Sequence, residues 1–151
     1  MKTTQARRLV GVCLAVVLVG FGACGGSKDK PSAAKLPAGT VTVKQWSVTL
    51  NKASFAPGKY RFAIKNEGSI PHELIAVRTD LPIADLPMTA TGDVNEDDPA
   101  LPNVTDGDDI AVGATQMRVI NLSTPGTYIF MCNLPGHFKS GMHEVITVQP
   151  A

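Results

Sequence analysis

The sequence predicts an all-β domain: a Greek-key sandwich or barrel of about seven or eight strands, interrupted by one long acidic loop. Three observations predict it. Short apolar runs alternate with polar residues at a period near two, as half-buried strands do. The 11 Pro and 14 Gly cluster between those runs as turn signals. The runs follow one another at the close spacing of sandwiches and barrels.

The elements follow in chain order. Residues 1–23 read as a lipoprotein-type signal peptide. Lys2, Arg7 and Arg8 make a basic start, and Leu9 to Phe21 is an apolar run of 13 residues, short for a membrane span and apt for a signal h-region. The run ends at Gly22-Ala23-Cys24-Gly25. Small residues directly before a Cys resemble a bacterial lipobox and make Cys24 the expected lipidation site. The other reading is an ordinary secretory signal cut nearby. Residues 24–39, rich in Gly, Ser, Lys, Pro and Ala, read as a flexible tether. Residues 40–151 form the expected domain.

Within it, Thr40 to Leu50 alternates, with a parity shift between Val43 and Trp46 that suggests a bulge or bend. Ala56-Pro57-Gly58-Lys59 is a turn. Tyr60, Phe62 and Ile64 form the apolar side of the next strand, and Asn66-Glu67-Gly68 breaks it. His72 to Arg78 is a further strand candidate. Thr115 to Leu122 and Gly126 to Cys132 are joined by Ser123-Thr124-Pro125-Gly126, and Val145 to Val148 closes the domain. Trp46, Tyr60 and Phe62 are expected in the core. Between Asp80 and Gly113 the pattern lapses. Four Pro and dense acids suggest a long excursion with one short helix and a strand near Asp109 to Val112; such loops are usually functional or mobile.

Charge excludes one class of partner. The precursor carries +1, but without its leader it has 11 basic against 13 acidic residues. From Asp80 to Asp109 there are nine acids and no base. No nucleic-acid footprint is present. The acidic run reads as a solvated face, or as a steering surface for a basic redox partner.

Cysteine usage narrows the chemistry. Of three Cys, Cys13 lies in the signal and Cys24 at its end, so Cys132 alone remains for the exported domain. A lone thiol in an oxidising compartment needs an occupant, and a metal is the natural one. Cys132, His137 and Met142 stand in a C-x4-H-x4-M spacing with Pro135-Gly136 as the turn. A thiolate, an imidazole and a thioether on one loop are three of the four donors of a blue-copper site, and His72, after Ile70-Pro71, is the candidate for the fourth. The expected cofactor is one Cu(I)/Cu(II) ion.

Two stretches resemble the cupredoxins, the small blue-copper proteins. Asn66-Glu67-Gly68-Ser69-Ile70-Pro71-His72 is similar to the family's strand, turn and Pro-His, and Tyr128 to Met142 to its ligand loop, with a spacing most like rusticyanin. The resemblance covers Thr40 to Val148 apart from the acidic excursion. It implies His72 and His137 as nitrogen ligands, Cys132 as thiolate and Met142 as axial thioether. Many cupredoxins carry Asn or Ser after the first His to tie the two ligand segments together. Here Glu73 stands there; an ionised carboxylate cannot donate a hydrogen bond, so the tie must come from backbone or elsewhere.

The functional expectation is a monomeric, non-enzymatic carrier of single electrons between extracytoplasmic redox partners, such as a cytochrome or a membrane redox complex. It would be held by lipid on Cys24 at the outer face of the cytoplasmic membrane or in the periplasm, or be secreted. A copper chaperone or buffer using the same ligands is the alternative. Three His are too few for a multicopper oxidase or a copper nitrite reductase, and one loop Cys too few for a binuclear centre. Of the remaining residues, His143 reads as a surface residue, Met131 as core by its strand parity, Met88 and Met117 as core or loop, and Leu134, Pro135 and Phe138 as an apolar collar around the His137 edge.

Overall fold

Nine strands build two facing sheets in the computed structural model, which describes residues 36–101, 103–105 and 107–150. The signal peptide, Cys24 and the tether up to residue 35 lie outside the described residues. β1 (Ala38–Lys44), β2 (Ser47–Leu50), β4 (Gly58–Asn66) and β7 (Thr115–Leu122) form one sheet, in the order β2-β1-β4-β7. β3 (Ser54–Phe55), β5 (Ile75–Arg78), β6 (Asn103–Thr105), β8 (Gly126–Met131) and β9 (His143–Val148) form the other, in the order β3-β9-β8-β5-β6. The chain crosses between the sheets after β2, β3, β4, β6 and β7, as a Greek-key sandwich requires. Two pairings are parallel, β1 with β4 and β3 with β9; the rest are antiparallel. No helix among the described residues is long and apolar enough to cross a membrane.

The first strand begins at Ala38, two residues ahead of the expected boundary. The parity shift after Val43 is neither bulge nor bend. It is a hairpin whose two-residue loop is Gln45-Trp46, with Val43 paired to Val48 and both buried. A two-residue loop brings both flanking Val side chains to the same face, so the change of parity marks a reversal of direction. Trp46 therefore stands at a loop tip and is 49% exposed, correcting its expected core position. Phe62 is fully buried, and Tyr60 packs partly buried against the core.

β5 and β8 read as unbroken apolar runs because the sheet is covered on both faces. Leu74, Ala76, Tyr128, Phe130 and Cys132 point between the sheets into the main core, with Phe62, Ile64, Ile120 and Ile146. Ile75, Val77, Ile129 and Met131 point outward into a second core with Leu86, Val94, Leu101 and Phe138. Met131 thus takes the side its parity predicts. Leu86, Val94 and Leu101 belong to the acidic excursion, which lies as a lid over the outer sheet face. Inside it the expected short helix is a single 3-10 turn, Ile83–Asp85. Its strand is β6, paired with β5, while Ile110 makes only an isolated bridge with His72.

Candidate metal centre

Two chain segments meet at one end of the sandwich. The first follows β4. Buried Asn66 ends that strand and knits the next residues together: its Nδ2 donates to the carbonyls of Ile70 and Ile110, both at 2.8 Å, and its Oδ1 accepts from the Gly68 N–H at 2.8 Å. His72 and Ile110 exchange two backbone hydrogen bonds, at 3.2 and 2.6 Å. The imidazole of His72 is fully buried at a fixed place. Gly68 lies against it; a Cβ there would stand 2.7 Å from His72 Nε2.

The second segment runs from Cys132 to Met142 and closes on itself. The Cys132 N–H donates to the Met142 carbonyl at 3.0 Å, and the Met142 N–H to the His137 carbonyl at 3.2 Å. Gly136 and Gly141 adopt φ of +79° and +104°, a region that side-chain-bearing residues rarely enter, which is why this tight loop needs Gly there. Cys132 and Met142 are fully buried, and His137 is 9% exposed.

The three expected strong donors converge. His72 Nδ1 lies 3.2 Å from His137 Nδ1, Cys132 Sγ lies 3.2 Å from His137 Nδ1, and Cys132 Sγ lies 3.8 Å from His72 Nδ1. They are a group of potential metal ligands among the described residues, and all three are buried. Nitrogen and sulfur donors about 2.0–2.3 Å from one first-row ion in a trigonal plane stand roughly 3.5–3.7 Å apart. The observed separations bracket that range, and a soft thiolate with two imidazoles is a donor set suited to copper. Met142 joins the same core cluster as Cys132.

The surroundings oppose charge on the metal-free donors. Burial, then the proximity of His137, pushes the His72 pKa below its usual value. Burial pushes the Cys132 thiol up, partly offset by backbone N–H donors from Glu73 and Leu134. The Glu73 N–H stands 3.4 Å from Cys132 Sγ. A bound cation reverses this logic by stabilising the thiolate, and the two N–H donors then lower the electron density on sulfur.

Glu73 supplies the tie that its charge first seemed to forbid. Its Oε1 accepts the Asn133 N–H at 2.8 Å, joining the two segments with the carboxylate as acceptor. Trp46 is a site residue that sequence reasoning missed. Its ring stands edge-on to His137, with centroids 5.2 Å apart and planes at 77°. Gln45 beside it bonds Ser69 twice: its Nε2 donates to Ser69 Oγ at 2.9 Å, and its Oε1 accepts the Ser69 N–H at 3.1 Å, so the β1–β2 hairpin tip touches both segments. The expected collar is correspondingly altered. Leu134 is half-buried and Pro135 exposed, but Phe138 turns into the second core and stacks on His143, centroids 4.9 Å apart. His143 is half-buried and outside the donor group, and Met88 and Met117 are exposed rather than core.

A two-sheet Greek key with soft and imidazole donors gathered at one end defines a cupredoxin-type blue copper protein holding one copper ion. Within that class the chain belongs to the sulfocyanin family: the model of the Sulfocyanin (SoxE) domain matches residues 53–150, which include all four expected donors. Among solved structures it is similar in fold to dithionite-reduced auracyanin from the photosynthetic bacterium Roseiflexus castenholzii, at 19% identity and TM-score 0.55, covering 76% of this chain and 98% of that one. Auracyanin B aligns at 21% identity and TM-score 0.50, over 76% of this chain and 91% of its own. Reduced rusticyanin aligns at 17% identity and TM-score 0.54, over 74% and 78%. No curated protein matches.

Proposed function

We propose that this protein is a mononuclear electron carrier working outside the cytoplasm, with His72, Cys132 and His137 as the planar copper ligands and Met142 as the weak axial one. One observation carries the reading: two imidazole nitrogens and a thiol sulfur within 3.8 Å of one another, in a buried pocket whose loop is closed by its own backbone bonds. Copper supplies the one-electron couple when bound. The chain holds its donors so that little has to move between oxidation states, and the surrounding core excludes water. His137 alone among these residues reaches the surface, where Trp46 meets its edge, and electrons cross there. A copper buffer would use the same donors, but a transferring site needs open, exposed ligands, and these are enclosed.

The partners are redox proteins reached by a lipid-held domain, and Cys24 carries the lipid. The test is the colour of the purified protein with Cu(II). An intense blue band from copper–thiolate bonding, with a reversible one-electron wave, supports the carrier. Colourless protein that releases copper freely overturns it. Labelled fatty acid incorporated by the native chain and absent from Cys24→Ala tests the lipid; equal labelling of both overturns it.

A further inference from the structure

The loop that carries three of the four proposed ligands is gripped from outside by a segment that holds none of them. Asn133, directly after Cys132, exchanges two hydrogen bonds with Val94: the Val94 N–H donates to Asn133 Oδ1 at 2.8 Å, and Asn133 Nδ2 donates to the Val94 carbonyl at 2.9 Å. An amide side chain here pairs with a backbone as a neighbouring strand would. The same Nδ2 donates to Glu96 Oε1 at 2.6 Å. Three residues on, the Gly136 N–H donates to Asp93 Oδ1 at 2.9 Å. That bond, then one from Thr91, holds the Asp93 carboxyl below its usual pKa, and it places the carboxylate on the residue directly before His137. Val94 itself is 2% exposed and rooted in the second core beside Phe138, the residue after the ligand His137. The Thr89–Asp93 turn is closed by its own bonds, the Thr89 N–H to the Asp93 carbonyl at 2.7 Å and Thr91 Oγ1 to Asp93 Oδ2 at 2.8 Å.

We propose that the acidic excursion is the outer wall of the copper centre, and that Asp93 and Asn133 are positioning residues holding the Cys132–Met142 loop in its metal-binding shape before metal arrives. The inference rests on the copper reading above. The backbone of Val94 and the carboxylates of Asp93 and Glu96 fix Asn133 and Gly136. Cys132 and His137, which flank that stretch, then have little freedom left to lose when copper binds. Preorganisation of this kind strengthens binding by removing the ordering cost. The Asp93 charge adds a second effect. A fixed anion near His137 favours Cu(II) over Cu(I) and so lowers the potential.

Four full-length variants test the proposal against the native chain. Asn133→Ala removes three bonds and Asp93→Ala two, one of them to the ligand loop; each is expected to release copper to a chelator faster, roughly ten- to a hundred-fold for Asn133→Ala. In metal-free protein each is expected to lose amide-exchange protection at Gly136. Asp93→Asn keeps an oxygen for the Gly136 N–H but removes the charge, so the potential rises while the visible spectrum and release rate stay native. Asn133→Asp keeps the acceptor for the Val94 N–H but sets a carboxylate against Glu96 and the Val94 carbonyl, and is expected to release copper at least as fast as Asn133→Ala. A native release rate and native exchange in Asp93→Ala, with a native potential in Asp93→Asn, would overturn the proposal, and both variants remain informative if Asn133→Ala does not fold, because Asp93 sits near the surface. A native chain without blue colour fails the copper reading instead, whatever these variants do.

Discussion

The two segments that meet at the copper centre are held in different ways. The His72 segment brings one proposed ligand and is fixed largely through backbone groups: a two-bond backbone bridge to Ile110, and one buried Asn that serves the Ile70 and Ile110 carbonyls and the Gly68 N–H. The Cys132–Met142 segment brings three and is fixed by its own turn bonds and by side chains from distant parts of the chain, Glu73 from one side and the excursion from the other. A strand end is rigid because its ladder continues into it. An eleven-residue loop has no ladder, so its shape must be imposed by groups that reach it through tertiary structure.

That contrast can be broken at several points. Cys132→Ser has the largest effect: the blue band disappears and copper binding falls steeply, and a variant that stayed blue would remove Cys132 from the ligand set. Asn66→Ala strands the Ile70 carbonyl and the Gly68 N–H and leaves the Ile110 carbonyl with the His72 N–H alone, and is expected to cost about 3 kcal/mol of stability, measured by denaturant unfolding of metal-free protein. Because the damage is on the ladder side, the whole sheet feels it. Gly68→Ala puts a methyl against Gln45 Oε1 and 2.7 Å from His72 Nε2; the Gln45 side chain can give way, but the bridge to Ile110 leaves the ring little room to retreat. Copper affinity is expected to fall roughly ten-fold, with a shifted spectrum and near-native unfolding. Glu73→Ala removes the carboxylate tie between the segments and is expected to cost about 1–2 kcal/mol, while Glu73→Gln, which keeps an acceptor for the Asn133 N–H, recovers most of it. Trp46→Ala is the mildest for stability, within about 0.5 kcal/mol for an exposed ring. Its effect is on the rate of electron self-exchange, read from NMR line broadening, which is expected to fall while the colour is unchanged.

The part of the site built from local pattern was legible in the sequence. The C-x4-H-x4-M spacing, the Pro-Gly turn and a His before a strand all lie within short windows, and softness of donors points to copper without coordinates. The inward side of β4 and the opposite parities of Met131 and Cys132 were equally plain, since alternation along a strand is a local property. What escaped was carried by pairs distant in sequence. Asn133 and Val94 are 39 positions apart, and nothing in a run of Pro and acids marks Val94 as half of a backbone-like pair. The excursion looked solvated because its three anchors in the second core, Leu86, Val94 and Leu101, are too widely spaced to show a period. Trp46 was misplaced for a related reason. An aromatic residue beside an alternating run looks like core unless the chain reverses there, and Gln45-Trp46 carries none of the Gly or Asn that usually mark a two-residue turn.

The position of Trp46 gives the molecule a built-in gauge. It is the sole tryptophan of the chain, and its indole stands within 5.2 Å of the His137 ring, centroid to centroid. A transition ion held that close drains the excited indole faster than it can emit. The metal-free chain is therefore the bright form and the copper-loaded chain the dark one, and loading, loss and exchange of the ion can be followed by intrinsic fluorescence without a label.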